Sequence, residues 1–344
     1  MSNKFETYAN KGLTGLANLG NTCYVNSCIQ ILSHCYIFND FLNNLKNENL
    51  NNNDDSVLLK EWIDLKNLMW SKNCTIAPNR FINSIHIISK KKNLDLFSGF
   101  IQNDLPEFLI FLIDTFHNSL KRDVNMTIRG KPENNKDILA KECYNMMKNM
   151  YSNNYSEIIK YFYGIQVSLI KSYNDNSKIL SVKSEPFCII SLPLIENKLE
   201  CSLYDCFDLF SINELLNNDN AWYNEKTNKK EDVYKSLEFW SLPEILIIDL
   251  KRFNNYNKKI NTLVNFPLTN LDLSKYILGY SKETYIYNLF GICNHSGNCN
   301  GGHYFSYIKN ANNKWYNFND THISVIDENK LLTNKAYCLF FMKQ

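Results

Sequence analysis

The sequence lacks the features that would place it in a membrane, in a secretory pathway or on a nucleic acid. Its N-terminus, MSNKFETYANKG, has no apolar segment of the kind found in a secretory signal. The longest apolar runs, such as residues 108–113, fall far short of the ~20 residues that a spanning helix needs. The net charge is only +2 and the chain has just four arginines, so no phosphate-binding surface is indicated. We therefore expect a soluble intracellular protein, in the cytoplasm or the nucleus, with neither membrane nor nucleic acid as a partner.

Cysteine usage argues against a disulfide framework. The 11 cysteines are an odd number and are scattered over 344 residues. This distribution indicates reduced thiols. A hydrophobic content of 44% and an aromatic content of 14% can support a sizeable packed core.

The order of the predicted elements favours an α+β fold. Amphipathic helical repeats occur in the first half, within residues 25–32, 59–69 and 100–120, and are followed by a polar segment at 121–141 that we expect to be mobile. Strand-like segments occur in the second half, at 163–182 (with a turn at 174–176), 186–194, 244–253, 285–293, 303–309, 314–320 and 337–343. Helices followed by strands are typical of α+β domains rather than of alternating βαβ units.

A candidate nucleophile stands at the start of the first helical repeat, in GLANLGNTCYVNSCIQIL (15–32). Asn21 can cap this helix, which places Cys23 in the first turn, where the helix dipole and unpaired N–H groups favour a thiolate. Cys28 lies on the apolar stripe of the same helix and is expected to be a small buried hydrophobe. Because a lone cysteine is far more often structural than catalytic, the assignment of Cys23 depends on a partner base.

His303 is the candidate base. The segment GICNHSGNCNGGHYFSYI (291–308) leads from a strand through a Gly-rich loop to His303 at the head of the next strand. A thiolate nucleophile needs an imidazole within hydrogen-bonding distance, and the imidazole needs a third group that holds its tautomer and orientation. Asn319 or Asp320, on a strand expected to pair with that of His303, can supply this group.

The same segment also allows a metal-binding interpretation. Cys293, His295, Cys299 and His303 lie within eleven residues of one another. This spacing alone could suit a zinc ion, and such a site would remove His303 as a base.

These segments resemble the ubiquitin-specific proteases. GLANLGNTCYVNSCIQIL is similar to the cysteine box of that family, and GGHYFSYI…KWYNFND to its histidine box. FSGFIQNDLPEFLIFLID, FCIISLPL and SLPEILIIDLKRF resemble further family segments, in the family's order, so that the matches span residues 12–341. The resemblance implies one papain-like catalytic domain over 1–344, with a helical thumb at about 1–160, a β palm at 161–344 and fingers within about 163–250.

The resemblance also implies the catalytic roles. Cys23 would be the nucleophile and His303 its base. Asn319 would orient the imidazole, and Asp320 could share that role or take it over. Asn18 matches the family position whose side chain helps to stabilise the oxyanion, although in isolation it reads as a residue of a polar turn.

The implied substrate is ubiquitin or a ubiquitin conjugate, cleaved after a tail that ends in Leu-Arg-Gly-Gly. Two glycines suit a channel too narrow for side chains, and Asp104 matches the residue that pairs with the arginine. Gln102, Glu107, Gly302 and Tyr304 complete the predicted substrate contacts. Asp104 could also act simply as an acid at a helix N-terminus.

The fingers depart from the family pattern. Many members hold their fingers together with a zinc ion on two Cys-x-x-Cys pairs. Ser172 and Asp175 occupy the place of the first pair, and Asn224 and Thr227 that of the second. Because four thiolates cannot be assembled there, we predict no metal and no other cofactor.

Two alternative functions remain open at this point. The chain could be a protease for a ubiquitin-like modifier, since that choice depends on the divergent fingers and palm. It could also be a catalytically inactive ubiquitin-binding scaffold, although all of the residues that such a protein usually loses are present. In each case we expect a monomer.

Overall fold

A computed structural model describes residues 5–99, 101–175, 177–280, 282–299 and 301–344. The helices are α1 Cys23–Ser33, α2 Tyr36–Asn43, α3 Asp54–Ser71, α4 Asn79–Lys91, α5 Leu105–Leu120, α6 Asn135–Tyr151, α7 Glu157–Phe162 and α8 Leu203–Phe210. Among the residues described, no helix combines the length and apolar content needed to cross a membrane.

The strands follow mostly in the second half of the chain. They are β1 Gly15–Leu16, β2 Thr75–Ile76, β3 Gly164–Ser172, β4 Ile179–Phe187, β5 Ile190–Pro193, β6 Glu200–Ser202, β7 Glu214–Leu216, β8 Trp222–Asn224, β9 Lys229–Glu231, β10 Val233–Ser241, β11 Ile245–Lys251, β12 Leu263–Asn265, β13 Leu271–Asp272, β14 Ile286–Asn298, β15 Gly301–Lys309, β16 Trp315–Asn319, β17 His322–Ile326 and β18 Ala336–Lys343. The main sheet has the order β17-β16-β15-β14-β18-β11-β5, with β13 beside β14, and a second sheet has the order β4-β3-β10-β7.

The predicted α+β class is confirmed, and one expectation about a single element is wrong. The segment at 121–141 was expected to be polar and mobile, but α6 begins within it. Asn134 caps that helix by accepting a hydrogen bond from the backbone N–H of Asp137 at 3.0 Å, and Leu139 and Cys143 pack against β3. The predicted turn at 174–176 includes Asn176, which lies outside the described residues.

The larger core lies between the helices and one face of the main sheet. Helix α1 is buried along its whole length because it packs against α5 on one side and against β14, β15 and β16 on the other. A second core lies on the opposite face of the main sheet. Strand β11 contributes to both cores: Ile245 and Ile247 face the helices, and Leu246 and Ile248 face the second core. This alternation follows from the two-residue period of a strand.

The N-terminal strand β1 packs closely against the turn that follows β16 and is hydrogen-bonded to it. The backbone N–H of Leu16 donates to the carbonyl oxygen of Asp320 at 2.9 Å. A Cβ atom on Gly15 would lie only 2.4 Å from the carbonyl oxygen of Thr321. Only glycine therefore permits this close approach of two backbones.

Gly15→Ala should destabilise the protein by about 1–3 kcal/mol, because the added methyl group forces these two segments apart. Gly99→Ala is the matched control, since a Cβ atom there has open space around it. Urea unfolding of both variants checks the expectation. Equal free energies of unfolding for the two would contradict the close contact.

Candidate active site

Cys23 is the first residue of α1 and is only 3% exposed. The expectation that Asn21 caps this helix is wrong: the N-cap is Thr22, and Asn21 lies just outside the helix with a left-handed φ of 53°. The backbone N–H of Thr22 donates to Oδ1 of Asn18 at 3.1 Å, which holds the turn that precedes the helix. Cys23 consequently stands where the backbone N–H groups of a helix lack partners within the helix.

Cys28 has the buried position that the sequence predicts. Its side chain is fully buried in the core between the helices and the sheet. Burial, with a smaller contribution from Cys293, raises the pKa of the Cys28 thiol well above its ordinary value. Cys28 is therefore kept as a neutral thiol and is not suited to act as a nucleophile.

His303 lies near the start of β15 and contacts both of its expected partners. Its Nε2 is 2.6 Å from Oδ1 of Asn319, and because an amide oxygen can only accept, Nε2 is the donor. The other ring nitrogen is left for the hydrogen bond with the Cys23 side chain. That bond is the main cause of the rise in the pKa of His303 to about 9, with Asn319 acting in the same direction and partial burial opposing it.

Asp320 has different partners from those of Asn319. It follows β16 with a φ of 49°, and its carboxylate accepts hydrogen bonds from Nδ2 of Asn18 at 3.0 Å and from Nδ2 of Asn26 at 2.8 Å. Its influence on His303 is a smaller charge effect that helps to raise the pKa of that residue. The geometry thus gives the contact with the imidazole to Asn319, and joins Asp320 to the start of α1.

A cavity of about 560 Å³ lies beside these residues. Its lining includes four of the predicted substrate-contacting residues, namely Gln102, Asp104, Gly302 and Tyr304. Glu107 is exposed on the first turn of α5 and is not among the described residues that line the cavity. The structure thus brings four of the five predicted contacts together.

Asp104, together with Asp249, is one of two aspartates among the described residues that line this cavity. Its Oδ1 accepts hydrogen bonds from the hydroxyl groups of Tyr337 at 2.9 Å and Tyr304 at 3.3 Å. Burial raises the pKa of Asp104, and the two tyrosine hydrogen bonds act against that rise. Tyr337 escaped the sequence analysis because nothing distinguishes it from the other aromatic residues of an apolar strand.

Gln102 bridges the helical half of the chain to the sheet. Its Oε1 accepts from the backbone N–H of Gly302, and its Nε2 donates to the carbonyl oxygen of Gly302, both at 3.0 Å. The amide therefore holds both backbone groups of the residue that precedes His303.

Other residues stand at the four positions where the family has its finger cysteines, and two of them hydrogen-bond to a shared partner. Asn224 and Thr227 both donate to Oε1 of Glu231, at 2.9 and 2.6 Å, across the hairpin of β8 and β9. Ser172 ends β3, and Asp175 lies in the turn beyond it. Within the described part of the chain, no group of three or more His, Cys, Asp or Glu side chains could hold a metal ion.

The four residues of the alternative metal interpretation have different environments. Cys293 is buried, whereas Cys299 is exposed. Nδ1 of His295 lies 3.1 Å from the ammonium group of Lys259, and both ring nitrogens of His303 are already engaged. This arrangement gives no support to a zinc site.

Known proteins resemble this chain over nearly its whole length. The family model described as ubiquitin carboxyl-terminal hydrolase matches residues 14–341. Ubiquitin carboxyl-terminal hydrolase 2 of Homo sapiens is 31% identical over 341 residues, covering 96% of this chain and 55% of its own length. The Gallus gallus protein of the same name is 32% identical over 347 residues, covering 96% of this chain and 93% of its own length. The chain thus spans about half the length of the human relative.

A solved structure gives the same result for the fold. A chain in the SAGA Ubp8/Sgf11/Sus1/Sgf73 DUB module bound to ubiquitin aldehyde has a TM-score of 0.74 at 26% identity, over 98% of this chain and 71% of that chain.

Asn319→Ala should move the pKa of His303 down from about 9 towards its ordinary value, because the variant loses a hydrogen bond that favours the charged ring. Asn319→Asp should move it up, since a carboxylate stabilises the imidazolium more strongly. NMR titration of the His303 ring protons measures both shifts. An unchanged pKa in both variants would contradict the contact.

Proposed function

The chain belongs to the ubiquitin carboxyl-terminal hydrolase family, and we propose that it is a deubiquitinase that cleaves the bond after the terminal glycine of ubiquitin. The observation that carries this proposal is the alignment of Cys23, His303 and Asn319 beside a cavity whose walls combine glycines with the Asp104 carboxylate. A thiol hydrogen-bonded to an imidazole is a nucleophile with its general base, which is the catalytic pair that acyl transfer requires.

In the first half of the proposed reaction, His303 accepts the proton of Cys23, and the sulfur attacks the carbonyl carbon of the terminal glycine. Negative charge develops on the carbonyl oxygen, where the N–H groups at the start of α1 and the side-chain amide of Asn18 can stabilise it. The intermediate collapses to a thioester as His303 returns the proton to the leaving amine.

In the second half, water attacks the thioester while His303 takes a proton from it. Ubiquitin leaves with a free carboxylate, and His303 returns the proton to the Cys23 sulfur. Throughout both halves, Asn319 accepts the Nε2–H of His303, which keeps the other ring nitrogen directed at the thiol and the substrate.

We assign Asp320 a role through Asn18 rather than through the imidazole. Its carboxylate accepts one N–H of the Asn18 amide, which fixes the orientation of that exposed side chain. The other N–H of the amide is then available for the oxyanion. This proposal explains why a second polar residue directly follows Asn319.

The lining of the cavity suits the proposed substrate tail. Gly301 and Gly302 form one wall without side chains, which suits the glycine pair, and Asp104 supplies a carboxylate for the arginine. Gln102 holds the wall in place through the backbone of Gly302. Ubiquitin is accordingly the proposed partner; a monomeric state and a location in the cytoplasm or the nucleus remain predictions from the sequence.

Cys23→Ala should abolish release of a fluorophore from the C-terminus of ubiquitin, because Cys23 is the thiol that is hydrogen-bonded to His303. Cys28→Ala is the matched control on the same helix, and it should retain turnover apart from a loss of stability. Steady-state kinetics with thermal unfolding as a check on folding distinguish the two. Turnover by folded Cys23→Ala would contradict the assignment of Cys23 as the nucleophile.

Asp104→Asn should raise KM for the same substrate on the order of tenfold or more, since a buried charge-assisted pair with the arginine is lost. The kcat value should change less if the contact is equally strong in the ground and transition states. Ubiquitin whose tail arginine is replaced by leucine provides the control. The two proteins should process that substrate equally, and a persisting difference would mean that Asp104 acts elsewhere.

A further inference from the structure

A pair of cysteines that takes no part in the proposed chemistry lies at the start of α8. Cys201 belongs to β6 and Cys206 to α8. Their sulfur atoms are 3.7 Å apart. Both thiols are free in this structure, and the contact between them brings two sulfur atoms close enough for a bond to form after a small change of side-chain rotamer.

The sequence around the start of α8 explains why the two thiols meet. Ser202 is the N-cap, and its Oγ accepts a hydrogen bond from the backbone N–H of Asp205 at 3.0 Å. In return, Oδ2 of Asp205 accepts from the backbone N–H of Ser202 at 2.7 Å. Side chains on either side of such a capping box commonly pack against each other as a hydrophobic staple. In this chain the two staple positions are Cys201 and Cys206.

The two thiols differ in their access to solvent. Cys206 is fully buried, whereas Cys201 is 5% exposed and follows the exposed residue Glu200. Strand β6 pairs with β12 in a sheet of only two strands, with Cys201 opposite Val264. Few backbone hydrogen bonds need to open at such a short pairing, so a small oxidant reaches Cys201 before Cys206.

The guanidinium group of Arg252 lies close to both thiols. This side chain is fully buried and donates to three backbone carbonyl oxygens, but within the part of the chain that the structure describes its Nη2 has no partner. Burial lowers the pKa of Arg252 to about 10, and Cys201 and Cys206 act against that fall. A positive charge beside a thiol favours its thiolate, which is the form that reacts with oxidants.

The environment of Cys206 suits it to the second of two steps. Burial raises the pKa of its thiol, the neighbouring Cys201 adds to the rise, and Arg252 opposes it. Cys206 therefore keeps its proton, and it is held against the sulfur atom that is oxidised first.

We propose that Cys201 and Cys206 are a redox-active pair that hydrogen peroxide converts into an intramolecular disulfide. In the first step the sulfur of Cys201 attacks one peroxide oxygen and the O–O bond breaks. This leaves a sulfenic acid on Cys201, and the thiol proton departs with the other oxygen as water. In the second step the sulfur of Cys206 attacks the sulfenic sulfur, the S–O bond breaks, and the Cys206 proton departs with the hydroxyl group as water. The two thiols lose two electrons, which reduce the peroxide.

Peptide mapping of the full chain tests the proposed disulfide. Trypsin cleaves after Lys198 and Lys226, and the peptide 199–226 contains Cys201 and Cys206 and no other cysteine. After peroxide treatment, unfolding and alkylation, this peptide should carry no alkyl group and should be lighter than the reduced peptide by two hydrogen atoms. Reduction with dithiothreitol before alkylation should restore two alkyl groups.

The exposed Cys74 sets the peroxide dose, which is raised until this thiol is oxidised in the same sample. If both cysteines of peptide 199–226 are still alkylated at that dose, the proposal is overturned. Sulfinic or sulfonic acids on these residues without a disulfide, or a disulfide from either of them to a third cysteine, would overturn it as well.

Two matched variants test the order of the steps. Cys206→Ser should lose the disulfide and accumulate an added oxygen on Cys201, because the sulfenic acid has no thiol beside it. Cys201→Ser should leave Cys206 reduced and open to alkylation, because the thiol that reacts first is missing. Oxidation of Cys206 in Cys201→Ser as fast as in the parent protein would overturn the assigned order. Neither variant changes a residue of the proposed catalytic site, so the result does not depend on whether the chain cleaves ubiquitin.

Discussion

The contact between the start of α1 and the turn after β16 is the constraint on which the rest of the site depends. It joins residues about 300 positions apart in the chain, through the two amide-to-carboxylate hydrogen bonds from Asn18 and Asn26 to Asp320. Backbone pairing of Leu16 with the same residue adds a third bond. Because Cys23 follows the first of these segments and Asn319 precedes the turn, this junction sets the distance between the thiol and the imidazole.

The second determinant is the environment of each ionisable group around the cleft. His303 has its pKa raised by its hydrogen-bonding partners, whereas His295, on the neighbouring strand of the β14–β15 hairpin, has its pKa lowered by burial and by positive neighbours. The two imidazoles of this hairpin therefore favour opposite charge states at neutral pH. A side chain at position 302 would clash with the His295 ring, because a Cβ atom on Gly302 would lie 2.2 Å from its Nε2.

The sequence predicted the parts of this site that depend on local patterns. The helix that begins at Cys23 follows from an apolar repeat, and the pairing of the strands that carry His303 and Asn319 follows from two strand-like runs joined by a short connection. The helix and the strand pair are each indicated by the residue composition of a short stretch of sequence. Helix α6 was missed because its apolar face has only a few residues within a polar segment, and they become informative only once β3 is there to pack against.

The parts that escaped prediction depend on long-range geometry. Whether Asn319 or Asp320 meets the imidazole depends on the left-handed backbone at Asp320, which the sequence does not reveal. The error at Asn21 has the same origin, since a left-handed φ removed it from the capping position. Lys259 offered no signal at all, because it lies between strands and its partner, His295, is 36 residues away in β14.

The most direct test of the account is reaction of the protein with ubiquitin that carries a thiol-reactive group at its C-terminus, followed by peptide mass mapping. The account predicts a single covalent adduct on Cys23, lost in Cys23→Ala and retained in Cys28→Ala. An adduct on another of the 11 cysteines, or binding of ubiquitin without any adduct, would contradict it.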